Sequence, residues 1–215
     1  MTTIFEETVH CPCCNKSLTL KILGTTNSVG CYTDFHGITM GYAPLPILMN
    51  TCPDCGFSGY SQDFKTPLDS HLKNQIGTVI TPLCKAEEMN AGRRYELYAK
   101  IREMAGANAW ELGQEYLKGA WAAFDEQTGN EAHLRQLAIN YFEKALAEHL
   151  VPPDEEPNIT YLIGELYRRI GEIENAHRYF SYVIQQAQAI PAWEGLAKYA
   201  IQQRDNPQER FSRHR

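Results

Sequence analysis

Two copies of one short cysteine motif constrain the fold of this chain more than any other feature of its sequence. Residues 11–15 read Cys-Pro-Cys-Cys-Asn, and residues 52–56 read Cys-Pro-Asp-Cys-Gly. In each copy two residues separate the outer cysteines, and Asn or Gly follows the second one, where a tight turn needs a left-handed backbone. A proline early in each copy fixes φ and lowers the entropic cost of ordering the turn. Both stretches are therefore predicted to form the same turn, with two thiolates on one side.

Two such turns facing each other provide the donor set of a closed tetrahedral metal site. The predicted ligands are Cys11, Cys14, Cys52 and Cys55, because one turn with two intervening residues supplies two sulfurs at roughly 2.3 Å from an ion. Zinc is the expected metal, but iron occupies the same cage in rubredoxin-like sites, and spacing does not separate the two. A structural ion would also stabilise a module too small to bury a large core.

Two other uses of paired cysteines fit the sequence less well. A redox dithiol of the thioredoxin type needs a strand–helix–strand setting, and neither pair is followed by helical periodicity. A disulfide framework is disfavoured by the odd count of seven cysteines and by an acidic amino-terminal stretch that does not resemble a signal peptide. We therefore expect reduced thiols in a soluble cytoplasmic protein. No apolar run approaches the roughly 20 residues that cross a bilayer.

The charge distribution disfavours a nucleic-acid-binding zinc ribbon. Residues 1–65 carry three lysines against five acidic residues, and an ion held by four thiolates would add further negative charge. Ribbons that bind nucleic acid need a basic face to release counterions from the phosphate backbone. The whole chain has a formal net charge of −6.

The sequence divides into a small β module followed by helices, so the predicted fold class is α+β, mainly α. The predicted divisions are a zinc-ribbon-like module at 1–65, a connector at 66–82, a helical domain at 83–204 and a basic, flexible tail at 205–215. Alternating apolar residues predict a strand around residues 18–22, and residues 46–51 are expected to lead extended into the second motif. Thr81-Pro82 is typical of a helix start, and Pro191 is predicted to begin the last helix.

A spacing pattern in the second half resembles the tetratricopeptide repeat. From Gly164, the residues Tyr167, Gly171, Ala176 and Phe180 follow at offsets 3, 7, 12 and 16. Small residues at such positions let two antiparallel helices approach closely, and aromatic residues fill the remaining space. The resemblance implies a tetratricopeptide-like antiparallel helical array.

An earlier partial copy of this pattern carries extra residues. Gly113 corresponds to Gly164, which lies 51 residues further on, whereas Ala138 corresponds to Ala176 after only 38 residues. The earlier copy therefore contains an insertion of about 13 residues, which we expect around Asp125 to Glu131.

Taken together, these features resemble a family of uncharacterised prokaryotic proteins known only as a domain of unknown function, DUF2225. Its members are similar to this chain in an amino-terminal Cys-Pro-x-Cys, a Thr-Asp-Phe segment, a second cysteine knuckle and helices. Here these are residues 11–14, 33–35, 52–57 and those from about 82 onward. The resemblance brings no reaction with it.

Several reactive side chains lie outside the set of four predicted ligands. Cys13 breaks the symmetry of the two motifs and is interpreted as a spare exposed thiol. Cys31, Asp34 and His36 lie in one short stretch and provide the ligands or acid–base groups of an alternative, enzymatic hypothesis. Cys84 is predicted in a first helical turn, where the helix dipole lowers a thiol pKa, although a buried inert cysteine is the preferred interpretation.

The preferred functional hypothesis is a non-enzymatic adaptor with a structural zinc site, whose helical array binds an unidentified protein or peptide. The alternative is an enzyme of unknown reaction that uses the metal with Cys31, Asp34 or His36. Ligand number separates the two, because a catalytic zinc keeps an open coordination position.

Overall fold

Small antiparallel sheets precede a helical array, which confirms the α+β, mainly α fold class. The computed structural model describes residues 2–86 and 88–211. The strands are β1 (Thr3–His10), β2 (Ser17–Thr25), β3 (Ser28–Cys31), β4 (Gly37–Thr39), β5 (Asn50–Thr51) and β6 (Ser58–Gly59). They pair as three hairpins, β1 with β2, β3 with β4 and β5 with β6.

The β1–β2 hairpin leads into and out of the first cysteine motif. Val9 pairs with Leu18 and His10 with Ser17, so the turn between the strands contains the three cysteines of that motif. Leu20 is fully buried at the centre of β2, as the predicted alternation requires. The predicted strand around residues 18–22 is confirmed.

The approach to the second motif differs from the prediction of an extended segment. Residues Leu45–Leu48 form a short helix, α1, before β5 begins. Pro46 lies in the first turn of this helix, where its missing N–H leaves no bond unmade. The Tyr95 hydroxyl and the Arg94 guanidinium donate to the carbonyls of Leu45 and Pro46, which fixes the turn against the helical array.

From Ser70 onward the connector is one continuous helical stretch that runs to Ala86, and no new helix begins at Thr81. It consists of α2 (Ser70–Gln75), a π-helical turn (Ile76–Ile80) and α3 (Thr81–Ala86). The prediction that Thr81-Pro82 starts a helix is therefore wrong. The N–H of Thr81 donates to the carbonyl of Ile76, five residues back, and such a widened turn relieves the clash that proline causes in a regular helix.

The remaining helices follow one another in the chain and pack mainly on their sequence neighbours. They are α4 (Ala91–Met104), α5 (Ala109–Glu126), α6 (Glu131–Ala147), α7 (Glu156–Arg169), α8 (Ile173–Gln186) and α9 (Glu194–Asp205), with a 3₁₀ turn at Pro191–Trp193 that begins the last helix as predicted. Asn108 caps α5 in a reciprocal capping box with Glu111, which satisfies two free N–H groups of the first turn. None of the helices described is long and apolar enough to cross a membrane.

Close glycine contacts join the helix pairs α5–α6 and α7–α8. A Cβ placed on Gly113 would lie 2.6 Å from Phe142 Cδ1, and one on Gly164 would lie 2.9 Å from Phe180 Cε1. Both phenylalanines are fully buried. The small-residue and aromatic positions of the sequence pattern thus meet across each pair, while the assignment to tetratricopeptide repeats stays a prediction.

The extra residues of the earlier copy lengthen its helices instead of forming a loop around residues 125–131. After Gly113, α5 continues for 13 residues to Glu126, whereas after Gly164, α7 continues for only 5 to Arg169. Ala138 lies seven residues after the start of α6, and Ala176 lies three after the start of α8. The linkers between the helices differ by one residue. The inserted residues therefore extend α5 by about two turns and α6 by about one.

The β3–β4 hairpin inserts its tip into the surface formed by these added turns. His36 stacks on Trp121, with ring centroids 5.4 Å apart, and its Nε2 lies 3.3 Å from an oxygen of Asp125. Phe35 at the tip has a left-handed backbone, φ 67°, a conformation that costs a non-glycine residue about 1–3 kcal/mol. Its ring packs on Tyr161, so the buried contact compensates for the strain.

The segment after α9 returns to the same hairpin. Tyr32 forms a β-bridge with Arg210, and the Thr33 N–H donates to the carbonyl of Glu209. Phe211 packs on Phe35 with ring centroids 5.9 Å apart. The predicted flexible tail at 205–215 falls in part on residues 212–215, which lie outside the described residues. Its mobility and the division at residues 65, 82 and 204 stay predictions.

Candidate metal centre

Both cysteine motifs fold into the same turn. The Cys11 N–H donates to the carbonyl of Lys16, and the Asn15 N–H donates to the carbonyl of Cys11. In the second motif, the corresponding bonds run from Cys52 to Phe57 and from Gly56 to Cys52, all at 2.8–2.9 Å. Asn15 has φ 61° and Gly56 has φ 77°. The left-handed positions predicted after each second cysteine are present, and this backbone directs both thiols of a turn to one side.

The four predicted ligands converge. The Sγ atoms of Cys11, Cys14, Cys52 and Cys55 all lie within 4.8 Å of one another, and the pairs Cys11–Cys55 and Cys14–Cys52 are 3.6 Å apart. Sulfurs at 2.3 Å from a tetrahedral ion are separated by about 3.8 Å, whereas a disulfide needs about 2.05 Å. All seven cysteines are free thiols. The spacing therefore fits a metal ion and excludes bridges between these four residues.

The cluster is shielded from water. Cys11, Cys52 and Cys55 are buried and Cys14 is partly buried. They share one apolar cluster with residues of β2, of the segment after the second motif and of the helical stretch from α2 to α4. The fully or nearly fully buried members of this cluster include Leu20, Phe57, Phe64, Ile76, Ile80, Leu97 and Ile101. The cysteine module has no separate core, because α4 supplies one wall of it.

Hydrogen bonding and burial shift the pKa values of three of these thiols. A hydrogen bond from Cys55 lowers the pKa of the Cys11 thiol to about 5, and donating that bond raises the pKa of Cys55. Burial raises the pKa of Cys52 to about 11. A divalent ion would take the place of the protons on Cys52 and Cys55, so binding of the metal would release them.

Cys13 lies beside the four ligands without belonging to them. It is partly buried rather than exposed, and burial raises its pKa. The mirror position in the second motif is Asp54, which is exposed. Cys13 is not part of the group of four converging Sγ atoms, and its assignment as a spare thiol stays a prediction.

Asp34 and His36 attach the β3–β4 hairpin to the helices through polar contacts with α5 and α7. Asp34 Oδ2 accepts a bond from the Trp121 indole at 3.2 Å and lies 3.4 Å from Arg169 Nε. Thr33 donates to Glu165 Oε1 at 2.6 Å. We call the group Thr33, Asp34, His36, Trp121, Asp125, Glu165 and Arg169 the interlock. Cys31 donates to the carbonyl of Tyr32.

Within residues 2–86 and 88–211, the four-cysteine cluster is the one group of three or more Cys, His, Asp or Glu side chains placed to hold a metal. Cys31, Asp34 and His36 therefore do not form a second metal site there.

Cys84 lies inside α3 next to the second motif, and not in a first helical turn. A Cβ on Gly56 would lie 2.7 Å from Cys84 Cβ. Burial raises the pKa of Cys84, in contrast to the lowering expected at a helix start. The physical reason is that the helix begins at Ser70, so the partial positive charge of its amino terminus is far from Cys84.

The interlock was not recognised from the sequence, although one signal was present. Thr33-Asp34-Phe35 belongs to the family resemblance, and a Thr-Asp pair in a stretch without periodicity is typical of a turn. The partners on α5 and α7 lie up to 136 residues away, and no local pattern identifies them.

Comparison with known proteins identifies a family but no individual relative. The model of a family described as "Uncharacterized protein conserved in bacteria (DUF2225)" matches residues 4–206. No curated protein matches the chain, and no solved structure matches it.

Proposed function

The chain belongs to the DUF2225 family of uncharacterised bacterial proteins, and from its own residues we propose a cytoplasmic adaptor in which a structural zinc ion supports a protein-binding helical array. The convergence of Cys11, Cys14, Cys52 and Cys55 carries the proposal. Four sulfurs complete a tetrahedral shell and leave no coordination position for a substrate.

Zinc is preferred over iron because a buried tetrathiolate shell is the usual structural zinc site, although the same donors suit iron. The ion joins two turns that lie 41 residues apart in the chain. It thereby stabilises a module whose sheets contain only two strands each. Free thiols in all seven positions support a reducing compartment.

Protein binding is supported by the architecture of the second half. Successive helices from α4 to α9 stack on their neighbours, and such stacks present extended concave surfaces. Asp34 and His36 are engaged in the interlock, which supports a structural role for the residues of the enzymatic alternative.

Metal analysis of Cys52→Ser with a matched cysteine control tests the zinc site. Protein purified without added metal is expected to contain one zinc per chain. Cys52→Ser removes a ligand and is expected to lose the zinc, whereas Cys13→Ser, in the same kind of motif, is expected to retain it. Far-ultraviolet circular dichroism is expected to show most of the helicity in both variants, because the cores of α5–α7 and α7–α9 are separate clusters from that of the cysteines.

Two results would contradict this assignment. Full zinc content in Cys52→Ser would remove Cys52 from the ligand set, and loss of zinc from Cys13→Ser would place the ion elsewhere. Stoichiometric iron with a thiolate-to-iron absorption band would keep the site but replace the metal. For the adaptor role, affinity capture from native bacterial cytosol that repeatedly returns no partner above background would refute the proposal.

A further inference from the structure

A large groove lies on the helical array, and none of the cysteines lines it. It has a volume of about 760 Å³ and is formed by α6, α7, α8 and the loop between α6 and α7. Leu146 and Val151 give it apolar surface, and Tyr182 stands exposed at one side. The volume lies within the range of about 300–1,000 Å³ that is typical of ligand sites.

A carboxylate and two stacked tyrosines form the polar centre of this groove. Glu143 Oε1 accepts hydrogen bonds from the hydroxyls of Tyr167 at 2.8 Å and Tyr179 at 2.9 Å. The two rings stack with centroids 5.8 Å apart. Burial, followed by the bond to Glu143, raises the pKa of Tyr167 to about 12 and also raises the pKa of Tyr179, so both hydroxyls remain donors at neutral pH. The carboxylate is held in place by three helices.

Glu143 has no cationic partner in the described parts of the chain. Within residues 2–86 and 88–211, no Lys, Arg or His nitrogen forms an ion pair with its carboxylate, in contrast to Glu96, Glu115 and Glu165 on the same array. The groove's own arginine, Arg178, is exposed and donates to Asn175. A half-buried carboxylate beside aromatic faces is a favourable site for a cation, because ion pairing and cation–π attraction act together there.

We infer that this groove binds an extended segment of a partner protein through a lysine or arginine side chain placed against Glu143, Tyr167 and Tyr179. The inference rests on the proposed adaptor function and specifies its partner. The apolar surface of Leu146 and Val151 would receive a neighbouring aliphatic side chain, and the ammonium or guanidinium group would be the missing counter-charge. Arg178 at the rim is the competing determinant, since it would favour an acidic segment.

NMR titration of the full, zinc-containing chain distinguishes these determinants. The probe is a capped alanine–serine peptide with one leucine and one central lysine, compared with peptides that carry norleucine or glutamate in place of the lysine. Binding of the lysine peptide is expected to shift resonances of α6, α7 and α8. The norleucine and glutamate peptides are expected to bind about tenfold or more weakly, because they lack the charge-assisted bond.

Glu143→Gln is the decisive variant because its amide oxygen still accepts the two tyrosine bonds. We expect it to weaken binding of the lysine peptide by about tenfold to a hundredfold and to leave binding of the norleucine peptide unchanged. Glu148→Gln is the matched control, since Glu148 is exposed on the turn that follows the same helix and does not line the groove. It is expected to bind every peptide as the wild type does.

Three outcomes would overturn the inference. They are equal binding of the lysine and norleucine peptides, unchanged lysine binding by Glu143→Gln, and stronger binding of the glutamate peptide, which would assign recognition to Arg178. A natural partner captured equally by wild type and Glu143→Gln would also reject the groove while leaving the adaptor function intact. Failure of the adaptor function itself would appear as the absence of any captured partner.

Discussion

Replacing Asp34 tests whether the interlock is a structural device. Asp34 is 1% exposed, and its carboxylate accepts bonds from the Trp121 indole at 3.2 Å and the His36 N–H at 3.3 Å. It also lies 3.4 Å from Arg169 Nε. Asp34→Ala removes all three contacts at once and leaves a cavity between the hairpin and the helices.

The geometry sets the size of the expected loss. Loss of one partner from a buried ion pair costs about 3–5 kcal/mol when the other charge is left alone. Arg169 is not left alone, because it keeps Glu165 at 2.9 Å and Glu209 at 3.1 Å. The unpaired Trp121 N–H adds about 1–3 kcal/mol. We expect Asp34→Ala to lower the free energy of unfolding by about 3 kcal/mol, at the low end of the buried-pair range.

Asp34→Asn removes the charge of the side chain and keeps its volume. It keeps the size of the side chain and one acceptor oxygen, so the expected loss is about 1–2 kcal/mol, the value of a charge-assisted bond reduced to a neutral one. Asp154→Ala is the control, since Asp154 is exposed, and such surface changes stay within about 0.5 kcal/mol.

Urea unfolding followed by circular dichroism measures these differences. The slope of the free energy against urea concentration is expected to be unchanged, so the midpoint alone should move. If Asp34→Ala were within 0.5 kcal/mol of the wild type, the interlock would not contribute to folding. If it were more stable than the wild type, the carboxylate would behave as a functional group kept at the cost of stability, which is common at active sites.

Three glycines give further predictions from close contacts. Gly113→Ala places a methyl group 2.6 Å from Phe142 and is expected to lower the free energy of unfolding by about 1–2 kcal/mol, because overpacking outweighs the gain in helix propensity. Gly195→Ala adds a methyl group with no atom within 4 Å. It is expected to raise the free energy of unfolding by about 0.5–1 kcal/mol. Thermal unfolding checks both signs, and equal shifts would contradict the packing argument. Gly56→Ala combines φ +77° with a Cβ 2.7 Å from Cys84 Cβ and is expected to cost about 2–4 kcal/mol. It is also expected to weaken zinc retention against a chelator, and retention equal to the wild type would show that the turn tolerates a side chain there.

The metal centre could be predicted from the sequence because its geometry is local. Each turn is formed by six consecutive residues, from its first cysteine to Lys16 or Phe57. The residues with positive φ, Asn15 and Gly56, are of types that favour this conformation. The convergence of the two turns needed only the assumption that four thiolates at matching positions share an ion. The four predicted ligands were therefore named individually, and their Sγ atoms do lie within 4.8 Å of one another.

The helix lengths show where local pattern reasoning stops. The spacing of Gly113 and Ala138 correctly indicated about 13 extra residues, but a count of residues does not say whether they form a loop or extend a helix. Ala120, Ala122 and Ala123 in this stretch are strong helix formers. Their propensity favours helix throughout this stretch, in agreement with the long α5 of the structure.

The interlock and the groove depend on long-range contacts that one sequence does not reveal. Thr33 meets Glu165 across 132 residues, and Glu143 meets Tyr179 across 36. Each of these side chains is ordinary in its local context: a turn threonine, a helix glutamate, a helix tyrosine. Their roles come from topology, which places them together only after the helices have packed.

The cysteine module is attached to the helices at several places, and the added turns of α5 provide one of them. One attachment is the apolar cluster of the cysteines with Leu97 and Ile101 of α4. Another is the interlock, in which Trp121 and Asp125 come from the residues that α5 has and α7 lacks. Neither attachment includes a residue of the Glu143 groove, whose lining begins at Glu143 and ends at Tyr182. Under the proposed function, stability and recognition depend on different side chains, so changes in α6–α8 are predicted to alter partner binding without disturbing these two attachments.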